Sequence, residues 1–323
     1  MAYHLTCKIE IGKYIFRYAE SVQIQSSWQT LGDTCIIKLP NFKQNLEKHI
    51  QIGDAVKVYL GYDGNNNLEF EGYVSKIGAS VPLEIFCEDK VFLLKRHTFE
   101  GRLFQNATLK QVLNELLQSL QTQTNTSLSI TQKGLADIQL GNIRIGKASY
   151  AEILQKLKEE YLFVLYFRPE YLYSGLPYLE YEGESPEKLD FSKNIVDATS
   201  LSFRRKEEVK IKVKAVSFLP NNEKITVEAG DVDGELRTIF TRGETNAQKL
   251  KIWAEQQLQL LKYEGYSGNI TTFGLPFLQH THGIKIIDSH YPERSGVYII
   301  DKVKTSFGVR GFRREIEIGK KIG

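Results

Sequence analysis

His280, His282 and His290, with Asp288 among them, are the side chains whose types and spacing come nearest to a metal-binding set. Histidines at i and i+2 share one face of a strand, and imidazole nitrogens are good zinc ligands. The flanking sequence offers no supporting Cys or Glu set, and histidines in an exposed loop are the ordinary explanation. No metal is therefore expected, and these three positions are where one would have to bind. The run Gly230-Asp231-Val232-Asp233-Gly234-Glu235 resembles part of a calcium loop but lacks the EF-hand spacing and its distal Glu. Asp/Gly turns are abundant and explain it adequately. Gly265-Tyr266-Ser267-Gly268 misses the spacing of a nucleophile elbow. There is no phosphate loop, dinucleotide fingerprint or HExxH motif. Acidic pairs can be drawn anywhere among so many carboxylates and carry no signal without geometry. Neither a catalytic residue nor a cofactor is expected, and the chain reads as a non-enzyme.

Two other groups bear on binding. Lys210, Lys212 and Lys214 alternate with Val209, Ile211, Val213 and Ala215, so three ammonium groups line one strand face. Such a row is a solvated strand face, a protected edge, or a basic lining. Tyr171, Tyr173, Tyr178 and Tyr181 offer rings for a core, a subunit interface or a sugar platform. Arg204-Arg205-Lys206 and Arg310-Gly311-Phe312-Arg313-Arg314 concentrate positive charge after Asp190, and both read as solvated strand ends. A net charge of +3 is too small for a dedicated nucleic-acid binder.

The elements that must position these groups are mostly strands. Leu5, Cys7, Ile9 and Ile11 lie opposite Thr6, Lys8 and Glu10; Val22, Ile24, Ser26 and Trp28 repeat the alternation, as do Cys35, Ile37 and Leu39. With the block Gly53–Cys87 they make roughly six strands of a small barrel or sandwich. That block reads strand, turn at Asp63-Gly64-Asn65-Asn66-Asn67, strand, loop, strand, and Gly283–Ile318 repeats the plan. From Thr108 the period becomes helical, with Leu109, Val112, Leu113, Leu116, Leu117 and Leu120 on one stripe, before a polar loop from Gln121 to Ser127. Ser149-Tyr150-Ala151-Glu152 has capping-box spacing ahead of a second helix, and a buried strand Tyr161–Phe167 follows. A third helix spans about Asn246–Lys262. The fold class expected is mainly β with an α+β insert: two related small β-barrels plus an α/β middle region. The expected domains are 1–104 for the first barrel, 105–190 for the insert, and 191–323 for the second barrel with one covering helix.

Cys7, Cys35 and Cys87 are widely spaced, odd in number and on apolar strand positions, so they read as buried free thiols of a protein made in a reducing compartment. The first residues lack a signal-peptide core, and the densest apolar run is too short to span a bilayer, so membrane insertion is not expected.

Gly53-Asp54-Ala55-Val56, Leu60-Gly61-Tyr62-Asp63-Gly64, Phe70-Glu71-Gly72-Tyr73-Val74 and Cys87-Glu88-Asp89 resemble, in order, phage late control protein D, the tail baseplate hub. The likeness continues through Asn194-Ile195-Val196, Leu201-Ser202-Phe203-Arg204-Arg205, Thr272-Phe273-Gly274-Leu275-Pro276 and Gly311–Gly319. It covers nearly the whole chain, though each motif is strand or turn punctuation. The resemblance implies two related β-barrels in a homotrimer whose pseudo-sixfold ring joins a sixfold tail tube to a threefold spike. It is also similar to the N-terminal hub part of type VI secretion spike proteins. Those proteins continue into an OB-fold and a β-helix, whereas this sequence stops at Gly323, so a separate central spike protein is expected. The expected place is a virion tail or injection-system baseplate, assembled in the bacterial cytoplasm, with Lys210, Lys212 and Lys214 on a channel or partner surface. A tail-associated cell-wall hydrolase and a carbohydrate-binding β protein are the competing readings.

Overall fold

The computed structural model describes residues 4–40, 46–124, 129–133, 139–161, 163–175, 182–219, 223–242 and 244–322. Tyr178, Tyr181, the Pro220-Asn221-Asn222 turn and Gly323 lie outside the described residues. The first third holds β1 (Leu5–Ile11), β2 (Tyr14–Phe16), β3 (Ser21–Ser27), β4 (Thr34–Leu39), β5 (Ala55–Tyr62), β6 (Asn65–Ile77) and β7 (Leu83–Glu88). Alternation sets which side each residue takes: Cys7, Ile9, Ile11, Val22, Ile24, Ile37, Val56, Val58, Leu60 and Ile85 all enter one core. The three cysteines are free and buried there, as their apolar positions required. The turn between β5 and β6 is tighter than the sequence suggested. Only Asp63 and Gly64 form it, at φ 51° and 86°, the double left-handed pair of a two-residue hairpin, and Asn65 to Asn67 already belong to β6.

The middle third runs α1 (Val91–Arg96), β8 (Thr98–Phe99), β9 (Arg102–Thr108), α2 (Leu109–Thr124), β10 (Ser129–Lys133), β11 (Gln139–Ile145), β12 (Ala148–Ser149), α3 (Tyr150–Tyr161), β13 (Val164–Phe167) and β14 (Tyr171–Gly175). The starts of α2 and α3 are capped reciprocally. Thr108 Oγ1 accepts from Gln111 N while Gln111 Oε1 accepts from Thr108 N, and Ser149 and Glu152 do the same. The expected stripe of α2 is buried. The helix runs past Gln121 to Thr124, with the Thr122 and Thr124 hydroxyls bonded back to the carbonyls of Gln118 and Leu120. The polar loop expected from Gln121 therefore does not begin there.

The last third holds β15 (Glu182–Asp190), β16 (Ile195–Asp197), β17 (Ser202–Arg204), β18 (Ile211–Phe218), β19 (Lys224–Gly230), β20 (Glu235–Arg242), α4 (Ala247–Leu261), β21 (Gly265–Phe273), β22 (His282–Ile287), β23 (Gly296–Gly308) and β24 (Gly311–Lys321). Asn246 caps α4, whose Leu250 and Ala254 cover Ile211, Val213 and Ala215 in the separate sheet β19-β18-β20. The Gly230–Glu235 run carries the chain across the start of β18. A Cβ on Gly234 would sit 2.5 Å from the Ile211 carbonyl carbon, and Gly230 holds φ 107°.

Among the described residues, fourteen strands join one sheet with the path β16-β21-β24-β23-β3-β4-β7-β6-β5-β1-β2. The mainly β class is as expected, but no ladder closes either half into the barrels the sequence reading envisaged. The reason lies in β23, which is 13 residues long. Its first part pairs with β22, and its last part, Lys302–Gly308, pairs with Ser27–Ser21 of β3. One strand is thus shared, and among the described residues the ladders of both units run through it as one sheet. The repeated plan is visible in it: β5-β6-β7 and β22-β23-β24 are both antiparallel meanders with a 13-residue middle strand. The parallel pairing of β15 with β22 brings the chain back to this sheet before Asp190.

Candidate functional site

The first unit meets the C-terminal hairpin a second time, through side chains. Arg314 on β24 is 0% exposed, and its Nη1 and Nη2 reach the Glu69 carboxylate on β6 at 2.8 and 2.7 Å, a bidentate fork. The remaining donors go to Thr305 Oγ1 at 2.9 Å and to the carbonyls of Gly274 and Pro276 at 2.8 and 3.1 Å. The rings of Phe277 and Phe312 flank the guanidinium. Burial pushes the Glu69 carboxyl above its ordinary range even though the guanidinium pulls it back. Tyr62 Oη donates to the Phe312 carbonyl at 3.2 Å, and Phe307 and Phe312 enter the first core. The sequence offered only an arginine-rich strand end here; of that cluster Arg314 is enclosed and Arg313 lies over the Phe273 ring at 4.8 Å.

A second polar junction gathers all three thirds of the chain. Arg168, just past β13, sends Nη2 to the His280 carbonyl at 2.9 Å and to Thr281 Oγ1 at 2.7 Å. Its Nη1 lies 3.0 Å from His280 Nε2, so that nitrogen accepts and the imidazole is neutral with its proton on Nδ1, which has no hydrogen-bond partner among the described residues. Burial first, then the Arg168 charge, holds His280 well below its ordinary value. Tyr166 stacks on Tyr173 at 4.6 Å and meets the His280 ring edge-on at 4.7 Å. From the first unit come Asp33, 4.0 Å from His280 Nε2, and Asp89, whose Oδ2 accepts from Asp33 N at 2.8 Å. Lys158 of α3 donates to the Trp28 and Gln29 carbonyls, and Trp28 Nε1 donates to Asp301 at 3.1 Å. Asp301 is aimed inward by the register shifts of β23 between Tyr298 and Lys302. Thr281 sits at φ 68°, strained for a β-branched residue, and its hydroxyl and amide are both bonded.

The three weak metal candidates each have other partners. His280 precedes β22 and spends its lone pair on Arg168; the Thr281 kink separates it from His282, which opens β22 beside Gln279 and Phe277. His290 lies in an exposed turn organised by Asp288, which accepts from the amides of His290 and Tyr291 and from the Tyr266 hydroxyl. Among the described residues no group of three or more His, Cys, Asp or Glu is placed to hold a metal. The carboxylates of the Asp231–Glu235 run go to lysines: Asp231 to Lys262, and Asp233 to Lys210. Lys212 pairs with Glu228 at 2.7 Å, and Lys214 stands opposite Glu228 in the β18–β19 ladder. The Lys210, Lys212, Lys214 row is therefore a cross-strand ion ladder on the face away from α4. Tyr171 and Tyr173 line the Arg168 junction with Tyr166 and Trp28.

The ends of the main sheet face outward. Among the described residues β2 pairs only with β1, and β16 only with β21, and Ile15 and Val196 on them are 58% and 48% exposed. Open edges of this kind accept further strands. No helix among the described residues is long and apolar enough to cross a membrane.

No family model and no curated protein matches this sequence. Solved structures do match over nearly its full length. A tail protein from Neisseria meningitidis MC58 is 16% identical with TM-score 0.71, covering 98% of this chain and 97% of its own. A 43 kDa tail protein of prophage MuSo2 from Shewanella oneidensis is 15% identical with TM-score 0.65, covering 98% of each chain. The E. coli c3393 protein, described as a type VI secretion component similar in structure to T4 bacteriophage tail proteins gp27 and gp5, is 10% identical with TM-score 0.63. The match covers 99% of this chain and 77% of that one. The chain thus has the fold of phage tail and type VI secretion proteins, the fold that the resemblance implied.

Proposed function

We propose that this chain is the structural baseplate hub of a phage tail or phage-like injection system. Three copies form a ring in which each contributes two similar β units, so that a threefold assembly presents six like segments. The ring joins a sixfold tail tube to a threefold spike on a separate protein. The observation that carries this reading is the end-to-end agreement of fold with tail proteins, with both chains almost fully covered. The shared strand β23 supports it: two alike units can imitate a higher symmetry only if their relative placement is fixed. The reading assigns no chemistry, no membrane insertion and no specific nucleic-acid binding. It places the chain in the virion tail or injection-system baseplate after assembly in the bacterial cytoplasm. The β2 and β16 edges serve contacts between copies, and the Lys210, Lys212, Lys214 face serves the channel or an acidic partner.

Light scattering of the full chain, alone and with its tube and spike proteins, tests it, followed by a particle map. The expected result is three copies in a ring between tube and spike. A strict monomer under all these conditions, or an oligomer that is not a ring, overturns it. Within that test, reversing Lys210, Lys212 and Lys214 together to Glu should lower assembly while melting of the isolated chain stays cooperative.

A further inference from the structure

Two of the free cysteines face each other across neighbouring strands. β4 and β7 pair antiparallel with Cys35 directly opposite Cys87, and both side chains are 1% exposed in the first core. The row continues to Ile24 on β3 and Val74 on β6, so aliphatic groups bracket the two sulfurs. Cys7 is on β1, which reaches β7 along the sheet only through β5 and β6. Asp89 N donates to the Asp33 carbonyl at 3.1 Å, so Asp33 and Asp89 are a hydrogen-bonded pair at the end of the β4–β7 ladder. Pair types alternate along an antiparallel ladder, which makes Cys35 and Cys87, two residues further in, hydrogen-bonded as well, with Cα atoms about 5.5 Å apart. That separation is inside the disulfide range of about 4.4–6.8 Å. Opposite Cβ atoms in a sheet stand about 4.5–5.5 Å apart, and a disulfide holds them at about 3.5–4.5 Å. A bond here needs the two strands to close slightly, and the strain makes it easy to reduce.

We propose that Cys35 and Cys87 are a redox-active cross-strand pair, which a low-molecular-weight disulfide oxidises to an intramolecular disulfide stapling β4 to β7 and which a thiol reductant reopens. Access comes from the near end of the ladder. Only the Thr34–Glu88 pair and the Asp33–Asp89 contact separate the cysteines from it, and Thr34 is exposed. Opening two terminal pairs is a local event, far less costly than unfolding the chain. While the ladder is closed, burial pushes Cys87 up to about 12 and Cys35 well above the ordinary thiol range, so the reaction is slow and runs through that opening. One cysteine thiolate attacks the oxidant's disulfide and releases one of its thiols, leaving a mixed disulfide. The second cysteine then attacks the protein sulfur of that mixed disulfide and releases the other thiol. The cysteines lose two protons and two electrons, and the oxidant takes them up as two thiols. The staple encloses β5 and β6, because both lie between positions 35 and 87. A chain made under reducing conditions holds the dithiol, and oxidising surroundings convert it.

Incubating the full-length chain to equilibrium in glutathione buffers, from fully oxidised to mostly reduced, tests this. Samples are quenched in acid, unfolded, alkylated and mapped by peptide mass. In the oxidised buffer Cys35 and Cys87 should both be lost from alkylation and appear as one linked peptide pair, at single-chain mass on a non-reducing gel. Cys7 should remain alkylated, and circular dichroism should show the chain folded throughout. In the mostly reduced buffer the linked pair should disappear. Cys7→Ala should leave the link in place, and Cys35→Ala should leave Cys87 alkylated. If Cys35→Ala fails to fold, the wild-type map still decides. The absence of a link, a link to Cys7 or between chains, a link that forms only when urea unfolds the chain, or one that persists in the reduced buffer overturns the proposal. The pair belongs to the single chain, so its failure leaves the hub reading untouched.

Discussion

Removing the Glu69 carboxylate with Glu69→Ala leaves the Arg314 guanidinium charged and enclosed. Breaking one side of a buried pair in this way costs about 3–5 kcal/mol. Urea unfolding should show that loss, while the double apolar replacement Glu69→Met with Arg314→Met should recover most of it. A second residue-scale case is Gly32, where an added Cβ would lie 2.5 Å from Asp89 Oδ1 and 2.7 Å from Val91. Gly32→Ala should destabilise the chain, by about 1–3 kcal/mol as overpacking usually does, with the first exchange increase at 26–33 and 163–175. Neither role was legible in the sequence. Arginine and glutamate are residues of the surface by type, and nothing local says that Arg314 will be sealed by a partner 245 positions away. The place of His280 was hidden for the same reason: a guanidinium from another third of the chain occupies its lone pair.

At the scale of elements the sequence was much more informative, because caps, stripes and alternation act within a few residues. Thr108, Ser149 and Asn246 all cap the helices whose starts they mark. Ser149→Ala should therefore cost about 1 kcal/mol, read as a lower melting midpoint with the same fold by circular dichroism. Strand faces followed from alternation, down to the apolar side of β18 under α4. What escaped was pairing. The β3–β23 ladder joins residues about 280 apart, and periodicity fixes a strand's face but not its neighbour. The same gap explains why the strand shared between the two units went unforeseen.

For the molecule as a whole, the β23–β24 hairpin belongs to two cores at once. Phe307 and Phe312 fill the first, and Tyr298, Ile300, Val303, Ile316 and Ile318 fill the second. Cutting that link should uncouple nothing cleanly. A fragment of residues 1–104 should unfold without cooperativity, and adding the peptide 296–321 in trans should restore a sigmoidal urea transition. A fully cooperative fragment without the peptide would show that the first unit is autonomous. The hairpin also sets a timetable for biosynthesis. A ribosome must finish residues 296–321 before β3 can gain its second partner beside β4, so through most of translation Ser21–Ser27 keeps one unpaired edge beside an unfilled core. Such distant contacts make folding slow and largely post-translational. A nascent chain of this kind is one for which holding chaperones, or prompt capture by an assembly partner, would raise the yield of soluble protein.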